Sequence, residues 1–323
     1  MYKNFFGLKE LPFNFSPDPR YIFWTRAVEE ALSALTYGIE SRNGFLLLTG
    51  EVGTGKTTIL NALLDWLHHR KVATAFVFNS RLAGAKQLFD FMMADFGIPC
   101  KSRLKSHMLL DLNQWLLERY AAGKTTVLIV DEAQNLSEQL LEEIRLLTNL
   151  ETSSEKLLQI VLSGQPELEE KLNRPEMRQL LQRIVFRCRT AALTPQEIDG
   201  YIAERLRIAG ANGGPVFSRE AMDCIQTYSK GIPRVVNLLC EHSLINSFAE
   251  RLRPVPAKVV KEIALEFRLG EFAPAPRPVP LPSIDRDPQE RVEGLLRDLF
   301  TYLRPEDRSQ QPLSVAFRER KKS

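Results

Sequence analysis

The sequence predicts an α/β protein: a five-stranded parallel sheet sheathed by helices on both faces, followed by a small all-helical domain. Three observations carry that expectation. Five short apolar runs alternate with segments of helical periodicity across residues 26–192, the pattern of strands buried on both faces. A glycine-rich loop separates the first run from the helix after it. From Thr194 onward only helical patterns recur.

Taken in order, residues 1–25 are rich in aromatics and proline, among them Phe5, Phe6, Pro12, Phe13, Pro17 and Pro19. Prolines interrupt any helix there, so an extended segment laid over the surface of the sheet domain is expected. Residues 26–41 place Val28, Ala31, Leu32, Leu35 and Ile39 on one helical face. Strands are expected at 45–49, 73–78, 126–130, 157–162 and 184–190, with helices at 57–70, near 85–96, at 109–120 and at 137–150, and one ending at 178–183. Ser137 is a candidate N-cap. Thr194-Pro195-Gln196-Glu197 has the form of a capping box, Ser218 caps a helix to about Ser229, Gly231 suits the residue after its end, and Pro233 suits a helix start. A fourth helix is expected over 256–268. The division read from this is 1–25 N-terminal segment packing on the domain that follows, 26–192 α/β domain, 193–270 helical domain, 271–286 proline-rich linker, 287–304 amphipathic helix and 305–323 basic tail. The stripe Val292, Leu295, Leu296, Leu299, Phe300 and Leu303 defines the amphipathic helix.

Composition excludes several classes. At 323 residues, 44% hydrophobic and 26% charged, the chain has material for a sizeable core. A net charge of +3 does not of itself call for nucleic acid. Cys100, Cys188, Cys224 and Cys240 form no C-x-x-C pair, and the four histidines do not flank them at zinc spacing, so reduced, buried thiols are expected. The N-terminus lacks the charged-then-apolar form of a signal peptide, and no apolar run approaches the ~20 residues of a bilayer span. A cytoplasmic location follows as the expectation, with membrane attachment only through a partner.

Two motifs carry chemistry. Gly50, Glu51, Val52, Gly53, Thr54, Gly55, Lys56 and Thr57 match G-x-x-x-x-G-K-[ST] in full, between an apolar run and a helix. Glycines permit the tight turn that aims successive N–H groups at phosphate oxygens, and the helix N-terminus adds its dipole. Lys56 would meet the β- and γ-phosphates and Thr57 would ligate Mg2+. The apolar run 127–130 then sets Asp131 and Glu132 at a strand's carboxyl end, the ligand-binding edge of open α/β sheets. Asp131 would hold Mg2+, and Glu132 would orient or deprotonate the attacking water. No N-K-x-D element for guanine is present, so the cofactors expected are ATP and Mg2+ and the enzyme an ATP hydrolase.

Further stretches set the family: Pro12-Phe13 followed by Pro17-Asp18-Pro19-Arg20-Tyr21; the glycine loop extended to Thr58; Val130-Asp131-Glu132-Ala133-Gln134; Ser163-Gly164-Gln165-Pro166-Glu167-Leu168; Gln182-Arg183; and Gly231-Ile232-Pro233-Arg234-Val235-Val236-Asn237. On these the chain resembles the AAA+ ATPases and, within them, the ExeA-type or general secretion pathway protein A family, over roughly residues 1–270. The resemblance implies that Ser163, or failing it Gln165, serves as sensor 1. It implies Arg183 as an arginine finger acting on a neighbouring subunit, with Arg187 and Arg189 as rivals, and hence a homo-oligomeric ring or filament. Arg234 would be sensor 2, and Tyr21 and Ile22, with Phe23, would line the adenine pocket. Best-known members continue into a membrane span and a peptidoglycan-binding domain, whereas here the linker leads to one amphipathic helix. The function implied is assembly or remodelling of a secretion, pilus or envelope-export apparatus, with proteins of that system as partners. The alternative is a DNA-associated ATPase of the transposition-activator type, which near-balanced charge and the lack of a helix-turn-helix pattern disfavour.

Overall fold

The computed structural model describes residues 2–14, 18–78, 82–99, 102 and 104–269. The linker, amphipathic helix and tail expected at 271–323, and Cys100, lie outside the described residues. The sheet is built from β1 (Phe45–Thr49), β2 (Ala73–Val77), β3 (Thr126–Val130), β4 (Gln159–Gly164) and β5 (Ile184–Arg189), in spatial order β2-β3-β4-β1-β5 with all pairs parallel. The three central strands are buried throughout, as apolar runs of both-face burial require. The edge strands differ: β5 reads IVFRCR and exposes Val185 and Arg187, which corrects the expectation that every strand is apolar along its length.

Helices cover both faces. Leu47, Leu128, Val130, Ile160 and Leu162 form one core with side chains of α4 (Ala85–Phe96), α5 (Lys105–Ala121), α6 (Glu138–Leu147), α7 (Pro166–Leu172) and α8 (Arg178–Leu181). On the other face α2 (Arg26–Glu40) packs against β1 and β5, and α3 (Lys56–His69) against β2. Gly38 lets α2 close in, since a Cβ there would come within 2.2 Å of the Leu46 side chain. Ser137 caps α6 by accepting from the Leu140 N–H. At the outer edge of β2, the Phe76 N–H that would otherwise face solvent donates to the Asp95 carboxylate of α4 (2.8 Å).

Beyond Thr190 the chain enters α9 (Pro195–Ile208), α10 (Arg219–Ser229), α11 (Pro233–Ala249) and α12 (Ala257–Glu266). Thr194 and Glu197 close the capping box in both directions, and Pro233 stands at the head of α11. Lys230, left-handed at φ 50°, caps α10, and Gly231 follows at φ 79°. A Cβ on Gly231 would lie 2.1 Å from the Leu193 carbonyl oxygen, so only glycine lets this turn touch the entry to the helical domain.

Three expectations need correction. The N-terminal segment is not extended throughout: Tyr2–Phe6 forms α1, whose Tyr2 and Phe6 sit one turn apart on one buried face. That segment does not lie on the sheet domain either. Tyr2, Phe6, Leu8 and Phe13 share one core with Ile198, Leu239, Val260 and their neighbours in the helical domain. The turn Pro19–Tyr21 reaches across, packing on α3 as well as α9. The fourth strand begins at Gln159, later than the apolar run from Leu157, because the buried Gln159 side chain accepts from the Gly44 N–H (2.8 Å) and fixes the pairing there. The short helix α7 was not expected.

Candidate functional site

The strand order brings together the carboxyl ends of β1, β3, β4 and β5, and a cleft of about 350 Å³ opens beside the loop after β1. Gly53 (φ 81°) and Gly55 (φ 100°) turn the loop into α3 through backbone conformations that a side chain would strain. Gly50 has a different reason: a Cβ there would meet Thr190 Oγ1 at 1.9 Å. Thr190 was not singled out from the sequence. It is the first residue after β5, and its hydroxyl lies 2.5 Å from that of Thr54, so it braces the loop from the sheet.

Lys56 is 6% exposed, and its ammonium donates to the carbonyls of Gly50 (2.6 Å) and Glu51 (3.0 Å). Burial lowers its pKa, while the charges of Glu132, Asp131 and Glu51 pull it back up. Thr57 and Thr58 line the same cleft, with Thr57 exposed. Asp131, the first residue after β3, is almost fully buried. That burial pushes its carboxyl up, the adjacent Ser163 hydroxyl and the Glu132 N–H (2.9 Å) push it down, the Glu132 charge pushes it up and Lys56 pushes it down, with burial prevailing.

Glu132 adopts φ 53°, left-handed for a residue with a side chain. Such conformations persist where surrounding bonds over-determine them, and they cluster at active sites. Here Gln134 Nε2 (2.5 Å) and Gln165 Nε2 (3.1 Å) both donate to its carboxylate, and the Gln165 N–H donates to Gln134 Oε1 (3.1 Å). The two glutamines lie 31 residues apart and converge because β3 and β4 are neighbours. Glu132 and Gln165 line the cleft. Ser163 is fully buried within β4, behind them.

Arg234, exposed at the head of α11, lines the cleft from the helical side. Its backbone N–H donates to the Gly53 carbonyl (3.2 Å), so the helical domain is bonded to the loop itself. Tyr21 and Ile22, both 8% exposed, line the cleft's far end together with Phe23. Two residues of α9 that the sequence reading passed over stand there too. Arg205 is 6% exposed, and Tyr201 bonds through its hydroxyl to Asn237 Oδ1 (2.9 Å). The available signal was an arginine one turn after Tyr201 on the buried stripe Ile198, Tyr201, Ile202.

The arginines after α8 lie elsewhere. Arg183 sits at the amino end of β5, away from the cleft, and donates to Thr148 Oγ1 (2.5 Å). Arg187 is exposed and reaches the Leu181 carbonyl at 3.5 Å. Arg189 is engaged by Glu169, which also accepts from the Thr49 hydroxyl. Among the described residues no group of three or more His, Cys, Asp or Glu forms a metal-binding cluster.

Fold and loop together have the architecture of a P-loop AAA+ core: a glycine-rich turn between β1 and α3 on a five-stranded parallel sheet, followed by a helical domain. Residues 39–172 match the family described as "AAA domain". Structures with this fold include the ORC2 protein of Aeropyrum pernix in its ADPNP–ADP complexes (TM-score 0.60, 16% identity, 82% of this chain and 75% of that one). CDC6p from Pyrobaculum aerophilum matches similarly (TM-score 0.61, 17% identity, 79% and 70%). In sequence the chain is 44% identical over 250 residues to General secretion pathway protein A of Aeromonas hydrophila. The alignment takes in 77% of this chain and 45% of that protein, so the chain spans less than half of its relative's length. The resemblance to the general secretion pathway protein A family thus holds over most of the chain. No described helix is long and apolar enough to cross a membrane.

Proposed function

We propose that the chain is an ATPase that couples MgATP binding and hydrolysis to assembly or remodelling of a secretion, pilus or envelope-export apparatus. The observation that carries the reading is a single cleft bringing Lys56 and Thr57 against Glu132, with the Asp131 carboxyl near enough to Lys56 to act on it electrostatically. In this reading Lys56 exchanges its two loop carbonyls for β- and γ-phosphate oxygens. The oxygen donors suit a hard divalent cation: Thr57 offers an exposed hydroxyl, and Asp131 a carboxylate at the strand end. Mg2+, when bound, neutralises phosphate charge. Glu132, held by Gln134 and Gln165, orients or deprotonates the lytic water. Ser163 supports Asp131, while Gln165 stands nearer the water's path.

Arg234 reads the γ-phosphate from the helical domain, and its tether to Gly53 makes phosphate occupancy a signal to α11. Tyr21 and Ile22 receive the adenine. Arg183, remote from its own cleft, acts on the nucleotide of an adjacent subunit, so a homo-oligomer is the working form. Similarity to a secretion-pathway protein, at 44% identity over 250 residues, supports export-system proteins as partners and a cytoplasmic position at the inner face of the membrane.

The test joins ATP turnover to mass by light scattering for wild type, Glu132→Gln and Arg183→Ala, each with and without double-stranded DNA. Turnover is expected to rise with protein concentration. Arg183→Ala is expected to abolish it while ATP still binds, and DNA is expected to change neither rate nor mass. Strong stimulation of both by DNA would replace this reading with the DNA-associated one.

A further inference from the structure

Arg205 is a buried cation that, among the described residues, has no carboxylate partner. Its Nε donates to the Pro12 carbonyl (2.6 Å), Nη1 to the Tyr201 hydroxyl (2.7 Å) and Nη2 to the Asn14 carbonyl (3.3 Å). Its guanidinium also lies over the rings of Tyr21 (4.6 Å) and Tyr201 (5.2 Å). Burying a charge against neutral acceptors alone is costly, and five donors on a planar fork exceed the three acceptors it uses. A residue kept for helix packing alone would not need them. What Arg205 does instead is join pieces from opposite ends of the chain. Pro12, Asn14 and Tyr21 belong to the N-terminal segment, Tyr201 to α9, and Asn237, which accepts from Tyr201, to α11 one turn past Arg234. Asn14, Tyr21, Tyr201, Arg205, Arg234 and Asn237 all line the cleft.

We propose that Arg205 is the positioning residue of the cleft's base end: it pins the N-terminal segment into the nucleotide site and so links docking of that segment to nucleotide binding. The inference rests on the nucleotide-binding reading above. The segment has its own core contacts through Phe6 and Phe13, and the guanidinium adds to them the bonds to the Pro12 and Asn14 carbonyls and the stacking on the Tyr21 ring that hold this stretch at the cleft wall. Reciprocity then follows: nucleotide seated on Tyr21 holds the segment down, and a pinned segment raises nucleotide affinity.

The test compares wild type with Arg205→Ala, Arg205→Lys and Tyr201→Phe in the full chain. Binding of a ribose-labelled fluorescent ATP is measured, together with KM and kcat, and with tryptic cleavage after Lys9 with and without ATP. Arg205→Ala is expected to raise Kd and KM by about tenfold or more while lowering kcat by no more than about threefold, because truncation strips binding geometry and leaves the phosphate chemistry in place. Cleavage after Lys9 should quicken and lose its slowing by ATP. Lysine cannot reproduce the fork, so Arg205→Lys should restore the helical content and melting temperature without restoring affinity. Guanidinium ion at millimolar concentration should partly restore affinity to Arg205→Ala alone. If Arg205→Ala does not fold, Tyr201→Phe carries the test with an expected rise in Kd of about threefold. Wild-type affinity and wild-type ATP protection in the variants that fold would overturn the inference while leaving the ATPase reading intact. A wild-type chain that binds no ATP would defeat both.

Discussion

The two ends of the cleft are built in opposite ways. The loop end, where we propose the phosphates sit, is formed largely by one short stretch, residues 52–58, with positive φ at Gly53 and Gly55. The opposite end, where we propose the base sits, is assembled from side chains at Tyr21, Tyr201, Arg205 and Asn237, tied to the N-terminal segment by a hydrogen bond that spans 193 residues of chain. A local loop carries its geometry with it. An assembled wall exists only once the helical domain has folded and gathered the N-terminal segment, so the second end depends on global stability in a way the first does not.

Four measurements break or sharpen that comparison. Glu132→Gln should reduce kcat by roughly 10³-fold with ATP affinity unchanged, in line with loss of a general base. A matching loss of affinity would mean that the carboxylate holds the phosphate end together. Phe13→Ala, which empties a fully buried ring site, should cost about 3 kcal/mol in urea unfolding and weaken nucleotide binding through the base end alone. Lys56→Ala should weaken ATP binding by about 100-fold in calorimetric titration. A larger loss from Arg205→Ala would invert the ranking of the two ends.

The smallest effect concerns Glu169, which braces the sheet edge beside the loop. Burial pushes its carboxyl up, but Arg189 and the Thr49 hydroxyl more than offset this, and its pKa falls below the usual value. Its stabilisation is therefore present above the ordinary carboxylate range and lost as pH falls through the lowered pKa. With partial exposure discounted, Glu169→Gln should cost no more than about 1 kcal/mol at pH 7 and progressively less in acid. A difference that grew toward low pH would show the sign to be wrong.

This division also governed what the sequence could disclose. Strands β1 and β3 were legible because both faces are buried and the apolar runs stop at the pairing limits. The loop and the Asp131-Glu132 pair were legible because each is contiguous. Gln165 could be named but not its bond to Glu132, which requires β4 to lie beside β3. The N-terminal segment was misread because prolines hide any period, and its partner surface begins only at α9. Thr190 left no trace, since a threonine after a strand is unremarkable until Gly50 is found pressed against it.

The carboxylate of Asp95 on the outer rim of β2 bears on behaviour in concentrated solution. A parallel sheet with a bare rim is a template on which a second chain can add strands, and it seeds precipitation as readily as assembly. Here the Phe76 N–H at that rim already donates to Asp95, so sheet-to-sheet growth through β2 meets an occupied donor and the carboxylate that accepts from it. Asp95→Ala should therefore convert a clear sample into one that turns turbid on concentration, read as light scattering against wild type.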